Sequence, residues 1–141
     1  MKSQVATEYL IIVSFALMVL IPFILYLTNV SQNFSEDNTL TVASDSVQKI
    51  GQTADLVYSR GEPAKLTISI LMPSNVQEIN FTNKTMNWKV RTSSGVSDVY
   101  YNSVANLTGN LSTTSSYYNV IVEARANDTN RWVNITIPRP T

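Results

Sequence analysis

The hydrophobic residues of the chain follow two different patterns, and the first begins near the N-terminus. From Tyr9 to Leu27 there are 19 consecutive residues without a charge. At about 1.5 Å per residue, a helix of this length spans the roughly 30 Å of bilayer hydrocarbon. Lys2 precedes the segment, and the next basic residue is Lys49. Because basic flanks stay in the cytoplasm, the pattern predicts a membrane helix with a cytoplasmic N-terminus and an external remainder.

A second helical pattern follows between Asn38 and Tyr58, where apolar residues recur every three or four positions. They are Leu40, Ala43, Val47, Ile50, Ala54 and Val57. This spacing predicts an amphipathic helix with one narrow apolar face. The helix should end at Gly61 and Pro63, because glycine adopts the left-handed cap conformation and proline cannot continue the ladder. The polar residues 31–38 leave open whether the two helices are continuous.

From Ala64 onward the period of the apolar residues changes to two. Alternation is clear at residues 66–72, 86–90, 118–124 and 133–137, with shorter candidate strands at 76–81 and 99–101. Polar, turn-rich stretches at 92–97 and 107–116 separate them. Such alternation predicts half-buried antiparallel strands. Five or six short strands are typical of a small β-sandwich, so we expect an α+β fold in which the amphipathic helix covers the open face of the sandwich.

Composition restricts the possible chemistry. The 141 residues include no Cys and no His, and ten Lys and Arg balance ten Asp and Glu. The first fact excludes disulfides, Cys/His zinc sites and Ser-His-Asp triads, and the second argues against a nucleic-acid partner. The acidic residues are scattered and form no calcium-binding loop. We therefore expect no enzymatic activity, no metal and no cofactor.

The residues just before the apolar segment are Lys2-Ser3-Gln4-Val5-Ala6-Thr7-Glu8. This segment resembles the class III signal peptide of archaeal type IV pilin-like proteins, because a basic residue, a small residue and a glutamine precede a glutamate and a long apolar helix. The resemblance covers about the first 27 residues. It departs from the family at Ser3, where glycine is usual, and at Ala6, where serine is frequent. It implies that a prepilin peptidase cuts between Ser3 and Gln4, which makes Glu8 the fifth residue of the mature chain.

The resemblance adds a leader peptide to the organisation that the hydrophobic pattern predicts, and it implies a set of partners. The chain would consist of a leader peptide (1–3), a hydrophobic membrane or filament-core helix (4–27), a polar segment with the amphipathic helix (28–61) and a β-sandwich domain (62–141). The protein would be a membrane precursor that assembles with copies of itself into an extracellular filament. Its further partners would be the prepilin peptidase, the pilus assembly ATPase with its membrane platform, and an oligosaccharyltransferase.

Glu8 has two interpretations. A carboxylate carried to the centre of a bilayer costs roughly 2.5–3.5 kcal/mol, and less near the interface. In a filament it could pair with the new amino group of Gln4 on a neighbouring subunit. Alternatively, it could simply reach headgroup water. The spacing alone leaves both open, and the resemblance favours the assembly role.

Asn-x-Ser/Thr sequences, the acceptors of N-linked glycans, are frequent after the apolar segment. Fourteen Asn and 31 Ser and Thr predict about three by chance, whereas eight are present. Because these residue types are also common in turns, composition is the alternative explanation. We expect Asn106, Asn110 and Asn127 to lie in loops and Asn134 to project from a strand. The eight acceptors are Asn29, Asn33, Asn80, Asn83, Asn106, Asn110, Asn127 and Asn134.

Two tyrosine pairs, Tyr100-Tyr101 and Tyr117-Tyr118, are candidates for a contact patch. In a strand, alternation should bury one ring of each pair and expose the other.

These patterns support a structural role in a surface filament that mediates adhesion. The alternative is a cell-surface binding protein that does not polymerise and stays on the membrane by an uncut helix.

Overall fold

The computed structural model describes the backbone of residues 2–138 and the side chains of residues 4–138. The chain forms two compact units, Met1–Glu36 and Asp37–Thr141. Met1, the side chain of Ser3 and the last three residues of the expected β domain lie outside the described residues. One helix and seven strands are present in the described part: α1 (Lys2–Arg60), β1 (Lys65–Met72), β2 (Val76–Thr82), β3 (Thr85–Thr92), β4 (Gly95–Asn102), β5 (Asn106–Asn110), β6 (Ser116–Ala126) and β7 (Arg131–Thr136).

The helix follows the sequence pattern in its second half and at its end. Residues 31–38 are helical, which answers the question that their polarity left open. After Arg60, Gly61 adopts a φ of 75°. Its N–H donates to the carbonyl of Val57 at 3.1 Å. The predicted glycine cap is therefore confirmed.

The strands form two sheets. One has four strands in the order β1-β6-β7-β5, and the other has three in the order β2-β3-β4. The expectation of purely antiparallel strands was wrong for one pair, because β5 and β7 run parallel. The reason is that β7 inserts between β6 and β5. Strand β7 is antiparallel to β6 and parallel to β5, so β5 joins the sheet beside β7 and not beside β6, the next strand in the chain.

The prediction of turns at residues 92–97 and 107–116 was also wrong in part. Strand β4 begins at Gly95 instead of after residue 97, and β5 (Asn106–Asn110) extends into the stretch 107–116. Leu107 is the one buried residue of β5, and the exposed Gly109 lies so close to β7 that a Cβ atom would meet the backbone of Ile135. A strand with a single buried apolar residue carries almost no alternation signal.

The core lies entirely within residues 37–141. The apolar face of the helix supplies Ala43, Val47, Ile50, Ala54 and Val57, all with no exposed surface, and Leu40 packs at its margin. Both sheets contribute to the same hydrophobic cluster, and the largest side chain in it is Trp88 of β3. The expectation that the amphipathic helix covers the strands is confirmed. This unit therefore has a core of its own.

Candidate functional site

The first candidate site is the apolar surface of α1 in the unit Met1–Glu36. From Val5 to Val30, every large apolar side chain is between 37% (Val13) and 74% (Met18) exposed. Successive helical residues are rotated by about 100°, so these side chains surround the whole circumference. By length and composition, the helix is long and apolar enough to cross a membrane. This segment of the helix is therefore hydrophobic around its whole circumference.

Gln4 and Glu8 lie at the start of this surface. Both are helical and exposed, and their separation of four residues places them on one face of the helix. Among the described residues, the ion pairs are Lys89–Glu78 and Arg125–Glu123, and neither includes Glu8. Glu8 is a carboxylate at the edge of an otherwise apolar helical segment.

The eight acceptor asparagines occupy different environments. Asn29 and Asn33 are exposed on α1, and Asn80 on β2 and Asn134 on β7 are half-buried. The loop prediction was wrong for Asn106 and Asn110, which are the first and last residues of β5, although both side chains are exposed. Position in a strand and exposure are compatible here because the two residues lie on the outer face of β5.

Asn127 lies in a turn, as predicted. It directly follows β6, and its Oδ1 accepts hydrogen bonds from the backbone N–H groups of Thr129 at 3.3 Å and Asn130 at 2.7 Å. The hydroxyl of Thr129 donates to the same oxygen at 3.5 Å. This arrangement is an Asx turn. It holds the asparagine and the threonine of one acceptor sequence together on an exposed loop.

Folding brings several acceptors to one side of the domain. A shallow depression is lined by Asn80, Asn83 and Asn106 together with Lys84. A neighbouring cleft is lined by Lys84, Asn106, Asn127 and Arg131. Because the two share Lys84 and Asn106, acceptors that are up to 47 positions apart in the sequence lie on adjoining surfaces. The sequence pattern did not predict this convergence.

A polar network that the sequence pattern missed joins α1 to β4 and the loop after it. Asp55 Oδ2 accepts a hydrogen bond from the hydroxyl of Tyr101 at 2.8 Å. Its Oδ1 accepts from the hydroxyl of Ser103 and from the backbone N–H of Val104, the latter at 3.0 Å. Burial, and then the bond to the Asp55 carboxylate, raises the pKa of Tyr101 above its usual value. The network fixes the helix against the sheet. Asp55 and Tyr101 are 46 residues apart in the chain, so no local sequence pattern indicates their contact.

The tyrosine pairs behave as predicted. Tyr100 is 65% exposed and Tyr117 is 75% exposed, whereas Tyr101 and Tyr118 are half-buried against the core. Tyr100 and Tyr117 are therefore available for contacts with other molecules.

No group of three or more acidic residues that could hold a metal ion is found within the described residues. Comparison of the chain with protein-family models, with curated proteins and with solved structures finds no significant match. The functional assignment consequently rests on the residues of the chain itself.

Proposed function

We propose that this chain is a structural, non-enzymatic subunit of an archaeal type IV pilus-like surface filament that attaches cells to surfaces. The observation that supports this most directly is the fully apolar circumference of α1 over residues 4–27, with Glu8 at its edge. The second support is the resemblance of residues 2–8 to a class III signal peptide. Residues 37–141 have their own core, to which residues 4–36 of the helix contribute no side chain.

The apolar helix must be covered by something other than its own chain. Full burial of one large aliphatic or aromatic side chain is worth about 1.5–3 kcal/mol, and α1 exposes many of them. A helix that is apolar on every side is stable inside lipid or inside a bundle of similar helices. In this proposal, the precursor helix is covered by the membrane and the mature helix is covered by copies of itself in the filament core.

In this proposal, Glu8 and Gln4 align the subunits when the mature helix enters the filament core. Cutting between Ser3 and Gln4 would create a positively charged amino group at Gln4. In a filament core with little water, that group would pair with the carboxylate of Glu8 on a neighbouring subunit. A pair of this kind selects one axial position between subunits, because any other position leaves both charges buried without a partner.

The proposal includes several partners. A prepilin peptidase would cut the precursor in the membrane, and an assembly ATPase with its membrane platform would move the mature helix from lipid into the filament. An oligosaccharyltransferase would modify some of the acceptor asparagines on the external side. The protein would be located in the cell membrane as a precursor and outside the cell as a mature filament.

The second candidate function is a membrane-anchored cell-surface binding protein. The observation that favours it is that α1 satisfies the length and hydropathy of an ordinary single membrane span. In that case the leader stays attached, and the exposed surface of the β domain binds a partner at the cell surface.

The N-terminus of the protein from cells distinguishes the two functions. We expect mass spectrometry to find a chain that starts at Gln4, and electron microscopy of sheared material to show filaments containing it. Replacing Ser3 by Gly, the usual residue of the family, should preserve cutting, whereas Ser3→Trp should leave the precursor intact and abolish filaments. A wild-type chain that starts at Met1 and stays with the membrane after shearing would overturn the filament proposal in favour of the anchored protein.

A further inference from the structure

The cleft that Lys84 and Arg131 share has a volume of about 620 Å³ and lies within the unit of residues 37–141. Its wall is formed by the last turn of α1, the β2–β3 turn, the loop between β4 and β5, and the β6–β7 turn. The volume is in the range of sites that bind small ligands. Because most of the lining residues are exposed, a long molecule can also pass through the cleft.

The charge of the cleft is uneven. Lys84 and Arg131 both line it, and Asp128 is the one carboxylate in its wall. All three side chains are exposed, and neither of the two ion pairs found among the described residues includes any of them. Charges of one sign that line a cleft focus the electrostatic potential there. The excess of positive charge therefore favours an anion.

The backbone that carries these two cations is held in place by hydrogen bonds. The carbonyl of Lys84 accepts from the N–H of Ser103 at 2.7 Å, which ties the β2–β3 turn to the loop after β4. In the β6–β7 turn, the N–H of Asn127 donates to the carbonyl of Asn130 at 2.9 Å, directly before Arg131. Groups that are positioned before binding lose less conformational entropy when a ligand arrives.

The remaining lining suits a sugar. Asn106, Asn130 and Thr129 supply amide and hydroxyl groups, which can donate to and accept from sugar hydroxyls. Tyr58 adds half-buried aromatic surface, and Val104 is 62% exposed. Such side chains provide apolar surface against which a sugar ring can pack. A nucleic acid, by contrast, is bound through many phosphate contacts, and the cleft offers two cations.

We propose that this cleft binds an acidic polysaccharide. Its carboxylates would pair with Lys84 and with the planar guanidinium of Arg131, whose fork of donors matches a carboxylate. The inference names the chemistry of the surface to which cells would attach, and in that respect it rests on the proposed function. Binding itself needs the cleft and not polymerisation. A glycan on Asn106 or Asn127 would start from the wall of the same cleft and would compete with the external polysaccharide.

Titration of the full chain with oligogalacturonate tests the proposal. The protein is produced in a host without N-linked glycosylation, kept in a neutral detergent and studied by calorimetry, with an uncharged glucose oligomer of equal length as the control ligand. We expect saturable binding of the oligogalacturonate alone. No saturable binding up to about 10 mM, or equal binding of the uncharged oligomer, would overturn the proposal. Neither result changes the N-terminus found in cells, so the filament proposal is tested separately.

Charge variants test whether the binding takes place in the cleft. Lys84→Gln and Arg131→Gln should each raise the dissociation constant about two- to fivefold, the effect of one exposed ion pair. Asp128→Asn should lower it, because a repelling carboxylate is removed. The control is Arg91→Gln, near the other end of β3, which should change it by about twofold at most because the charge is distant and screened.

Circular dichroism confirms that each variant is folded. If Arg91→Gln weakened binding as much as Arg131→Gln, the attraction would be non-specific and the proposal would be overturned. Inorganic polyphosphate is the competing anion. If it bound more tightly than oligogalacturonate, and Lys84→Gln and Arg131→Gln weakened its binding in the same way, the cleft would be a phosphate site and the assignment to an acidic polysaccharide would be wrong.

Discussion

The ring of Tyr101 lies where a Cβ atom on residue 51 would stand, so the helix approaches β4 at Gly51 more closely than any other residue would allow. One helical turn later, Asp55 binds the hydroxyl of the same tyrosine. A single stretch of α1 thus contacts both the ring and the hydroxyl of Tyr101. The close approach explains a glycine in the middle of a helix, where it costs about 1 kcal/mol relative to alanine.

Gly51→Ala should destabilise the unit of residues 37–141. Helix propensity alone predicts a gain of about 1 kcal/mol, but the added methyl group must displace the ring of Tyr101, and overpacking of this kind costs typically about 1–3 kcal/mol. We expect the net effect to be a fall in the free energy of unfolding, measured by urea denaturation, of up to about 2 kcal/mol. The control is Gln52→Ala on the exposed face, which should change it by less than about 0.5 kcal/mol. A stabilised Gly51→Ala variant would show that the ring moves away at no cost.

Tyr101→Phe should change the response of the unit to alkaline pH. Because the pKa of Tyr101 is raised in the folded state, its contribution to stability is complete below the unfolded pKa of about 10 and is lost as the pH rises through the folded value. The wild type should therefore lose more stability than Tyr101→Phe between pH 10 and 12, as measured by denaturation at a series of pH values. At neutral pH the variant should be less stable by about 1 kcal/mol, since the hydrogen bond to Asp55 is lost. Tyr100→Phe, on the exposed ring, is the control and should leave the alkaline profile unchanged.

Glu8→Gln should separate membrane insertion from assembly. Removing the charge makes the helix more apolar, so insertion and cutting should be nearly unchanged. Filament yield should fall strongly, because the amino group of Gln4 on a neighbour loses its partner, and breaking a buried pair in this way costs about 3–5 kcal/mol. The measurement is the ratio of sheared filament to membrane-held protein on immunoblots, with Glu62→Gln in the exposed turn after α1 as the control. Normal filament numbers with Glu8→Gln would mean that Glu8 is only an interfacial residue.

Glycan occupancy should follow the environment of each acceptor. Asn127 lies in an exposed Asx turn that already holds Thr129 beside it, whereas Asn134 is half-buried in β7 between two paired strands. Glycopeptide mapping of the protein from cells should find Asn127 modified more completely than Asn134. Thr129→Ala should abolish the modification and Thr129→Ser should retain it. If all eight acceptor asparagines carried no glycan, the high number of Asn-x-Ser/Thr sequences would be explained by amino-acid composition alone.

The local elements of this fold could be predicted from the sequence because each depends on residues close together in the chain. The stripe from Leu40 to Val57 predicted both the amphipathic helix and the face that it buries. Gly61 marked its end, since only a positive φ allows the cap. Alternation identified every strand that has at least two apolar residues on its inner face.

The sequence also determined the chemistry that distinguishes α1. Nineteen uncharged residues and one carboxylate near their start are visible without any structure. The apolar surface around the helix follows from them, because successive helical residues are rotated by about 100°. The proposed assembly role therefore rests more on residues 2–27 than on the shape of the β domain.

The tertiary structure decided the relationships between distant residues. The parallel pairing of β5 with β7, the contact of Gly51 with Tyr101, the network around Asp55 and the convergence of acceptor asparagines at Lys84 all join positions that are tens of residues apart. Each is a consequence of how the sheets pack around the helix. Periodicity indicates which side of an element is buried. Which elements become neighbours depends on packing and hydrogen bonding over the whole domain, because the folded chain must satisfy both at once.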